Sequence, residues 1–390
     1  MKRSVIIKQG GQRNMKKCIV NGKVILHDEI VEKNVFIDND KIVEISDRKP
    51  TDEEVIDAKG LYVSPGFVDV HTHGRGGSDT MYATFDDLNT ISKTTLKTGV
   101  TSFLPTTMTM PVDDIAKAIE NIAINKDKVE GSQVLGTHLE GPFFNKKYKG
   151  AQPEECMILP TVENYLSFVR DNQNVVRKIS IAPELEHSIE LIEYLKDKNT
   201  VVSIGHTNAT YDEAQCAIDA GATSGTHTYN AMTPLTHRAP GVVGAVMIND
   251  SVYAELILDG VHVNYAAAKA LLRAKGKDKL ILITDSLEAA GLENGKYLLG
   301  NQDVYVKDGE ARLIDGTLAG SIVSMNVAVK NAHEHLGLTL NEAVNLASYN
   351  PAQSLGEDLL GEIKEGKYAD IIFFDDHIQI QNTMIKGQMK

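Results

Sequence analysis

The chain has 390 residues, 42% of them hydrophobic and 24% charged, with a formal net charge of -13 at pH 7. That length is ample for one large barrel or two domains, and the composition is that of an ordinary globular protein. The acidic balance argues against nucleic acid or an anionic membrane as partner, and leaves small anions held by a local pocket of Arg, His and backbone N–H groups.

Cys18, Cys156 and Cys216 lie far apart with no C-x-x-C pair, which fits unpaired thiols in a reducing compartment such as the cytoplasm. No apolar run reaches the length of a membrane span, and the N-terminus lacks the apolar core of a signal peptide. Residues 1–14 are basic and polar around Ser4-Val5-Ile6-Ile7. They read as an extension, a tag remnant or an upstream start, with Met15 as the alternative beginning.

From Lys17 to Val63 the pattern is short strands and turns. Asn21-Gly22 reads as a hairpin turn between Lys17–Val20 and Lys23–Leu26. Asn39-Asp40 reads as another, between Asn34–Asp38 and Lys41–Ile45. After Pro65, apolar runs alternate with amphipathic helices. The expected strands are 66–71, 100–105, 134–140, 178–183, 201–206, 223–228, 252–258 and 280–285. Helices are expected at 111–125, 188–196, 211–220 (closed by Gly221) and 264–274. Eight such units argue for an α/β fold of the (β/α)8 TIM-barrel type, with a doubly wound open sheet as the competitor.

A Gly-, Asp- and Asn-rich excursion from Gly291 to Gly320 predicts a hairpin over the barrel mouth. Helices at 322–336 and 340–348 follow, and β texture returns at 367–374 and 378–385. Neither terminal β segment is long enough for its own core. The expected organisation is therefore a small β-sandwich domain built from residues 1–64 and 349–390, with a barrel over 65–348 between them. No repeat of fixed period is visible.

Active groups of such barrels sit at the C-terminal ends of the strands. The first expected strand ends in His71-Thr72-His73, whose i, i+2 spacing aims both imidazoles to one side. The third ends at Glu140, the fifth at His206, the sixth at His227 and the eighth at Asp285; the seventh runs into Asp259-Gly260-Val261-His262. One polar strand end would mean little. Four imidazoles and two carboxylates at one mouth would attract a divalent metal.

This order of ligands resembles the amidohydrolase superfamily, and the flanking β segments resemble its small β-sandwich. Within it, His138-Leu139-Glu140-Gly141-Pro142-Phe143 and His227-Thr228-Tyr229-Asn230-Ala231-Met232 are similar to the N-acetylglucosamine-6-phosphate deacetylase family. So are Arg238-Ala239-Pro240-Gly241, Asp259-Gly260-Val261-His262 and Leu318-Ala319-Gly320-Ser321. The motifs follow the family's order from about Met15 onward.

The resemblance implies a hydrolase that removes acetate from a phosphorylated N-acetyl amino sugar. Glu140, His206 and His227 would form the common metal site, with Glu140 where relatives use a carbamylated lysine. His71 and His73 would belong to a second site, so one or two ions, Zn or Fe, are expected per subunit. Asp285 would move the proton as general base and then general acid. Asn230, the N–H of Ala231 and Arg238 match phosphate contacts, and His262 matches a sugar contact that Asp259 either orients or leaves alone while capping its turn. Leu318, Ala319 and Gly320 complete the implied substrate set. A homodimer is implied too, and with it the option that Arg238 acts across the interface. Where some members carry a carbonyl-polarising histidine, this chain has Gln152, after Ala151; both are substrate-contact candidates.

Other residues carry plainer readings. His138 lies deeper than Glu140 and suits packing or support of a ligand. His333 and His335 read as surface, His27, His187 and His377 have no companions, and His237 either helps Arg238 with phosphate or is a solvated loop histidine. Phe143-Phe144 either lines the pocket or packs under its loop, and Lys146, Lys147 and Lys149 form a basic loop near the mouth. Rival functions are an N-acetylgalactosamine-6-phosphate deacetylase, another amidohydrolase, or a non-catalytic scaffold of the same fold; the last would usually have lost ligands.

Overall fold

The computed structural model describes residues 16–390. The reading of residues 1–14 as an extension or upstream start, and the beginning of the expected 1–64 segment, lie outside the described residues.

Eight parallel strands form a barrel: β1 (Phe67–Thr72), β2 (Val100–Thr107), β3 (Thr137–Glu140), β4 (Val176–Ile181), β5 (Val201–Ile204), β6 (Ser224–Gly225), β7 (Tyr253–Ile257) and β8 (Leu280–Ile283). Each pairs with the next in sequence. The ring closes where the Asp285 N–H donates to the His71 carbonyl at 2.8 Å. This is the expected TIM barrel, not an open sheet.

One helix follows each of the first seven strands: α1 (Phe85–Leu96), α2 (Val112–Asn125), α3 (Val162–Val169), α4 (Ser188–Lys196), α5 (Tyr211–Ala220), α6 (Gly241–Ile248) and α7 (Tyr265–Lys275). Threonines start three of them. Thr84, Thr161 and Thr210 accept from the N–H groups of Asp87, Asn164 and Glu213, and Glu213 completes a capping box. Helix α6 is apolar all round and almost wholly buried, so it has no two-faced period to read.

Two strands are cut back furthest from their expected lengths. The third is broken at Leu135-Gly136 into Gln133–Val134 and Thr137–Glu140, and β6 keeps only two residues. After β8 the mouth excursion is a three-stranded antiparallel sheet (Gly295–Leu299, Gln302–Lys307, Glu310–Leu313), one strand more than the expected hairpin. Helices α8 (Met325–Asn331), prolonged to Leu336 by a wider turn, α9 (Leu340–Ala347) and α10 (Tyr349–Ser354) follow. Helix α10 lies past the expected boundary at 348, and its Asn350 donates to the carbonyl of Leu280 at the start of β8.

Apart from a short antiparallel pair at Gly74–Arg75 and Ser78–Asp79, the remaining strands form two sheets face to face. One has the order 41–46, 34–38, 16–20, 54–57; the other 388–389, 380–385, 371–374, 62–65, 23–25, 30–31. Ile19, Val35 and Ile37 share one core with Val24, Val63, Ile371, Phe373 and Met384, so both terminal segments bury the same apolar surface. One expectation fails here. Asn21-Gly22 makes no hairpin, because strands 16–20 and 23–25 belong to different sheets. Asn21, at φ 55°, turns the chain from one sheet into the other, and a Cβ on Gly22 would stand 2.4 Å from Val63. The Asn39-Asp40 turn does join an antiparallel pair.

Candidate functional site

Every strand-end residue singled out above reaches the same mouth. His71 is the fifth residue of β1, whose six residues are all buried, and Glu140 is the last of β3. His206, His227 and Asp285 sit two residues past β5, β6 and β8 with φ of 47°, 29° and 48°. Left-handed backbone at three non-glycine residues costs energy. Here it turns three strand ends inward over the barrel axis.

Two groups result: His71, His73 and Asp285; and Glu140, His206 and His227. Glu140 lies between them. Its Oε1 is 3.1 Å from His227 Nε2, 3.4 Å from His206 Nε2 and 3.3 Å from His71 Nε2, while its Oε2 is 3.2 Å from His73 Nε2. Asp285 Oδ1 is 3.4 Å from His71 Nε2 and 3.3 Å from His73 Nε2.

The ring protons can be assigned from their partners. His206 Nδ1 faces the Tyr148 carbonyl at 2.9 Å, and His227 Nδ1 faces the Asn230 carbonyl at 3.1 Å. A carbonyl only accepts, so both Nδ1 atoms carry the proton; with the rings neutral, both Nε2 atoms turn a lone pair inward, 3.1 Å from one another. Lone pairs crowded against a carboxylate repel unless a cation lies among them. His71 Nε2 and His73 Nδ1 are also buried without a hydrogen-bond partner. The donor set therefore fits a divalent metal.

Without a cation, protonated imidazoles would balance the carboxylates. Burial works to raise the Glu140 carboxyl, but His71, His206 and His227 hold it well below the usual carboxylate range. Burial also works against Asp285, which His71 and His73 nevertheless pull below its ordinary value. For His73, burial opposes a charge, while Asp285 and Glu140 hold its pKa well above the usual imidazole range.

These groups floor a cavity of about 210 Å³. Ala151, Gln152, Asn230, Ala231, His262, Leu318 and Gly320 line it; Ala319 is fully buried behind them. Arg238 is not brought into this cavity. It sits on an exposed loop and lines a neighbouring depression with Lys147, Tyr148 and Tyr211. Asp259 does both jobs left open for it: Oδ1 accepts from the N–H groups of Val261 and His262, and Oδ2 holds His262 Nδ1 at 2.7 Å.

Gln152 is committed to the site's frame. Its Nε2 donates to Glu140 Oε2 at 2.6 Å and its Oε1 accepts from the Thr109 N–H at 2.8 Å. His138 is buried between Ser180 (2.8 Å) and Thr106, outside both groups, and burial pushes its pKa well down. Phe144 stacks on the His206 ring at 4.4 Å.

Several contributors escaped the sequence reading. Lys178 on β4 and Glu255 on β7 meet inside the barrel, at 1% and 0% exposure. Asp69 on β1 accepts from Thr284 Oγ1 at 2.5 Å and from the His71 N–H at 3.3 Å; burial pushes its pKa up to about 6. The signal was there for the first two: a charge of opposite sign inside each of two apolar strands, Val176-Arg177-Lys178-Ile179-Ser180-Ile181 and Tyr253-Ala254-Glu255-Leu256-Ile257. Leu299 and Thr317 come to the wall from the three-stranded sheet and the turn after it.

Comparison with known proteins bears on this geometry. The sequence model of the amidohydrolase family matches residues 62–390. The chain is 37% identical to an N-acetylglucosamine-6-phosphate deacetylase of Lysinibacillus sphaericus, over 92% of this chain and 93% of that protein. It is 38% identical to an N-acetylgalactosamine-6-phosphate deacetylase of Escherichia coli O157:H7, over 87% and 91% respectively. Among solved structures it superimposes, with a TM-score of 0.90 and 31% identity, on an N-acetyl-D-glucosamine-6-phosphate deacetylase mutant of Mycobacterium smegmatis in complex with N-acetyl-D-glucosamine-6-phosphate, covering 96% of this chain and 99% of that one.

Proposed function

We infer that this chain, which belongs to the amidohydrolase family, hydrolyses the acetamide of N-acetyl-D-glucosamine 6-phosphate to D-glucosamine 6-phosphate and acetate. The observation that carries the reading is the convergence of the His206 and His227 Nε2 atoms, 3.1 Å apart, on the Glu140 carboxylate. A scaffold has no need of that convergence; a hydrolytic metal site does.

Glu140, His206 and His227 would hold one divalent ion, and His71, His73 and Asp285 a second, either Zn or Fe. Such an ion polarises a carbonyl and makes water acidic enough to attack it near neutral pH. The chain's own residues do the rest. Asp285 takes the proton as the water oxygen bonds to the acetamide carbon. It returns that proton to the nitrogen as the C–N bond breaks, so the amine leaves neutral beside acetic acid, which then loses its remaining proton to solvent or to the amine to become acetate. His262, held through Nδ1 by Asp259, keeps Nε2 free for a sugar hydroxyl. Asn230 and the N–H of Ala231 offer donors to the phosphate from the cavity wall.

The exposed position of Arg238 suits a contact made across a homodimer, where its planar fork would reach a partner's phosphate. We assign the enzyme to the cytoplasm on its unpaired cysteines; no helix among the described residues is long and apolar enough to cross a membrane. We also place the barrel domain at 65–354, one helix past the expected end, with the flanking segments forming the sandwich.

Acetate release from Zn-loaded protein tests the function. N-acetylglucosamine 6-phosphate should be the better substrate and its galactosamine epimer the poorer one. A reversed preference would move the enzyme to the galactosamine reaction. Acetate from neither sugar, in protein shown by elemental analysis to carry metal, would reject the deacetylase reading.

A further inference from the structure

The barrel interior holds one charged pair that the reaction does not use. Lys178 Nζ contacts Glu255 Oε1, and both side chains are buried, at 1% and 0% exposure. A lysine and a glutamate in the core of a barrel are unusual, and such a pair seldom adds stability over apolar residues of the same volume. The other oxygen of Glu255 does something specific. Oε2 lies 3.3 Å from His71 Nδ1 and accepts from the His227 N–H at 3.3 Å. One carboxylate oxygen therefore touches one member of each group at the mouth.

His71 has nothing else to orient it through Nδ1. With that proton directed at Glu255, Nε2 is left bare and faces Glu140 and Asp285. Lys178 contacts the remaining oxygen of Glu255 from β4, which keeps Oε2 turned toward His71. We propose that Glu255, anchored by Lys178, is the positioning residue for His71, and that this pair determines whether the group His71, His73 and Asp285 retains its own metal ion. The inference rests on the two-group reading given under Proposed function.

Cobalt content and spectrum separate the two ideas, because neither depends on turnover. Wild-type protein loaded with Co²⁺ should hold two equivalents per subunit, and His71→Ala should hold one. Single substitutions would leave a buried charge alone, so the decisive variants change both partners. Lys178→Met with Glu255→Gln keeps an oxygen acceptor for His71 and His227 without a buried charge, and should retain the second equivalent. Lys178→Met with Glu255→Leu removes the acceptor while leaving an apolar pair of similar size, and should bind the second equivalent about 10–100-fold more weakly. Its thermal melt should stay cooperative, and the cobalt absorbance should match that of His71→Ala. A folded Lys178→Met, Glu255→Leu protein that keeps the second equivalent at wild-type affinity, while His71→Ala loses it, overturns the positioning role alone. If His71→Ala also keeps two equivalents, the two-group reading falls and the proposal falls with it.

Discussion

The two groups at the barrel mouth end in the same atoms but are supported by different means. His206 and His227 direct Nδ1 at main-chain carbonyls of Tyr148 and Asn230, so their orientation is fixed by how the loops run. His71 directs Nδ1 at a buried carboxylate, and His73 Nδ1 has no partner among the described residues. The first group is held by backbone and the second by side chains. A site held by backbone survives the loss of any one distant side chain; a site held by side chains does not. The Glu140 group should accordingly be the more tenacious of the two, and the Asp285 group the one that mutations and chelators empty first.

The sharpest way to use that contrast is at Asp285, the proposed carrier of the proton. Asp285→Asn keeps the shape and one oxygen but cannot take a proton at neutral pH. We expect kcat to fall by roughly 10²–10⁴-fold, with the ion of the Glu140 group retained. Turnover close to wild type in that variant would remove Asp285 from the mechanism.

An intermediate effect is expected from Gln152, the side chain that holds Glu140 on the backbone-held side. Gln152→Ala frees Glu140 Oε2 and leaves the Thr109 N–H without its acceptor. The ion of the Glu140 group should bind about 10–100-fold more weakly, read by competition with a chelator. An unchanged affinity would show that His206 and His227 suffice to fix Glu140.

A further effect, on stability and not on the ions, concerns Asp79, beside His73 on the side-chain-held side. Burial pushes its pKa from 3.8 up to about 6. The folded protein thus binds this proton more tightly than the unfolded chain does. Stability contributed by the protonated form is complete below pH 4 and is lost as pH rises to about 6, a loss on the order of 3 kcal/mol. Asp79→Asn can still accept from the Met81 N–H, as Asp79 does. It should abolish that slope and melt a few degrees higher at pH 7. Parallel melting curves for the two proteins between pH 4 and pH 7 would show that Asp79 does not titrate there.

Much of this was legible in the residues. The eight strands, the His-x-His pair and the carboxylates at strand ends are local patterns, and local patterns survive in a string of letters. What was lost was relational. Lys178 and Glu255 are 77 residues apart and meet only because β4 and β7 face each other across a closed barrel. Gln152 reads as a substrate contact by its place in a motif, yet its amide is taken up by Glu140 and Thr109. Asn21-Gly22 has the chemistry of a hairpin turn, but with two sheets close at hand the same turn serves to leave one for the other. The third strand of the mouth sheet was missed because a Gly- and Asp-rich tract signals turns and says little about how many strands lie between them.

The sandwich has a consequence for how the protein is made. Lys17 Nζ donates to the Gly387 carbonyl, 370 positions later, and the strands at 371–385 supply the middle of one of its two sheets. At a synthesis rate of about 5–20 residues per second, the first strands wait roughly 20–75 s for the partners that cover their apolar side. The barrel can close during that interval, whereas the sandwich can close only after it. Losing the last few strands would therefore leave more than a shorter enzyme: an open, apolar sheet edge of the kind that draws chains together.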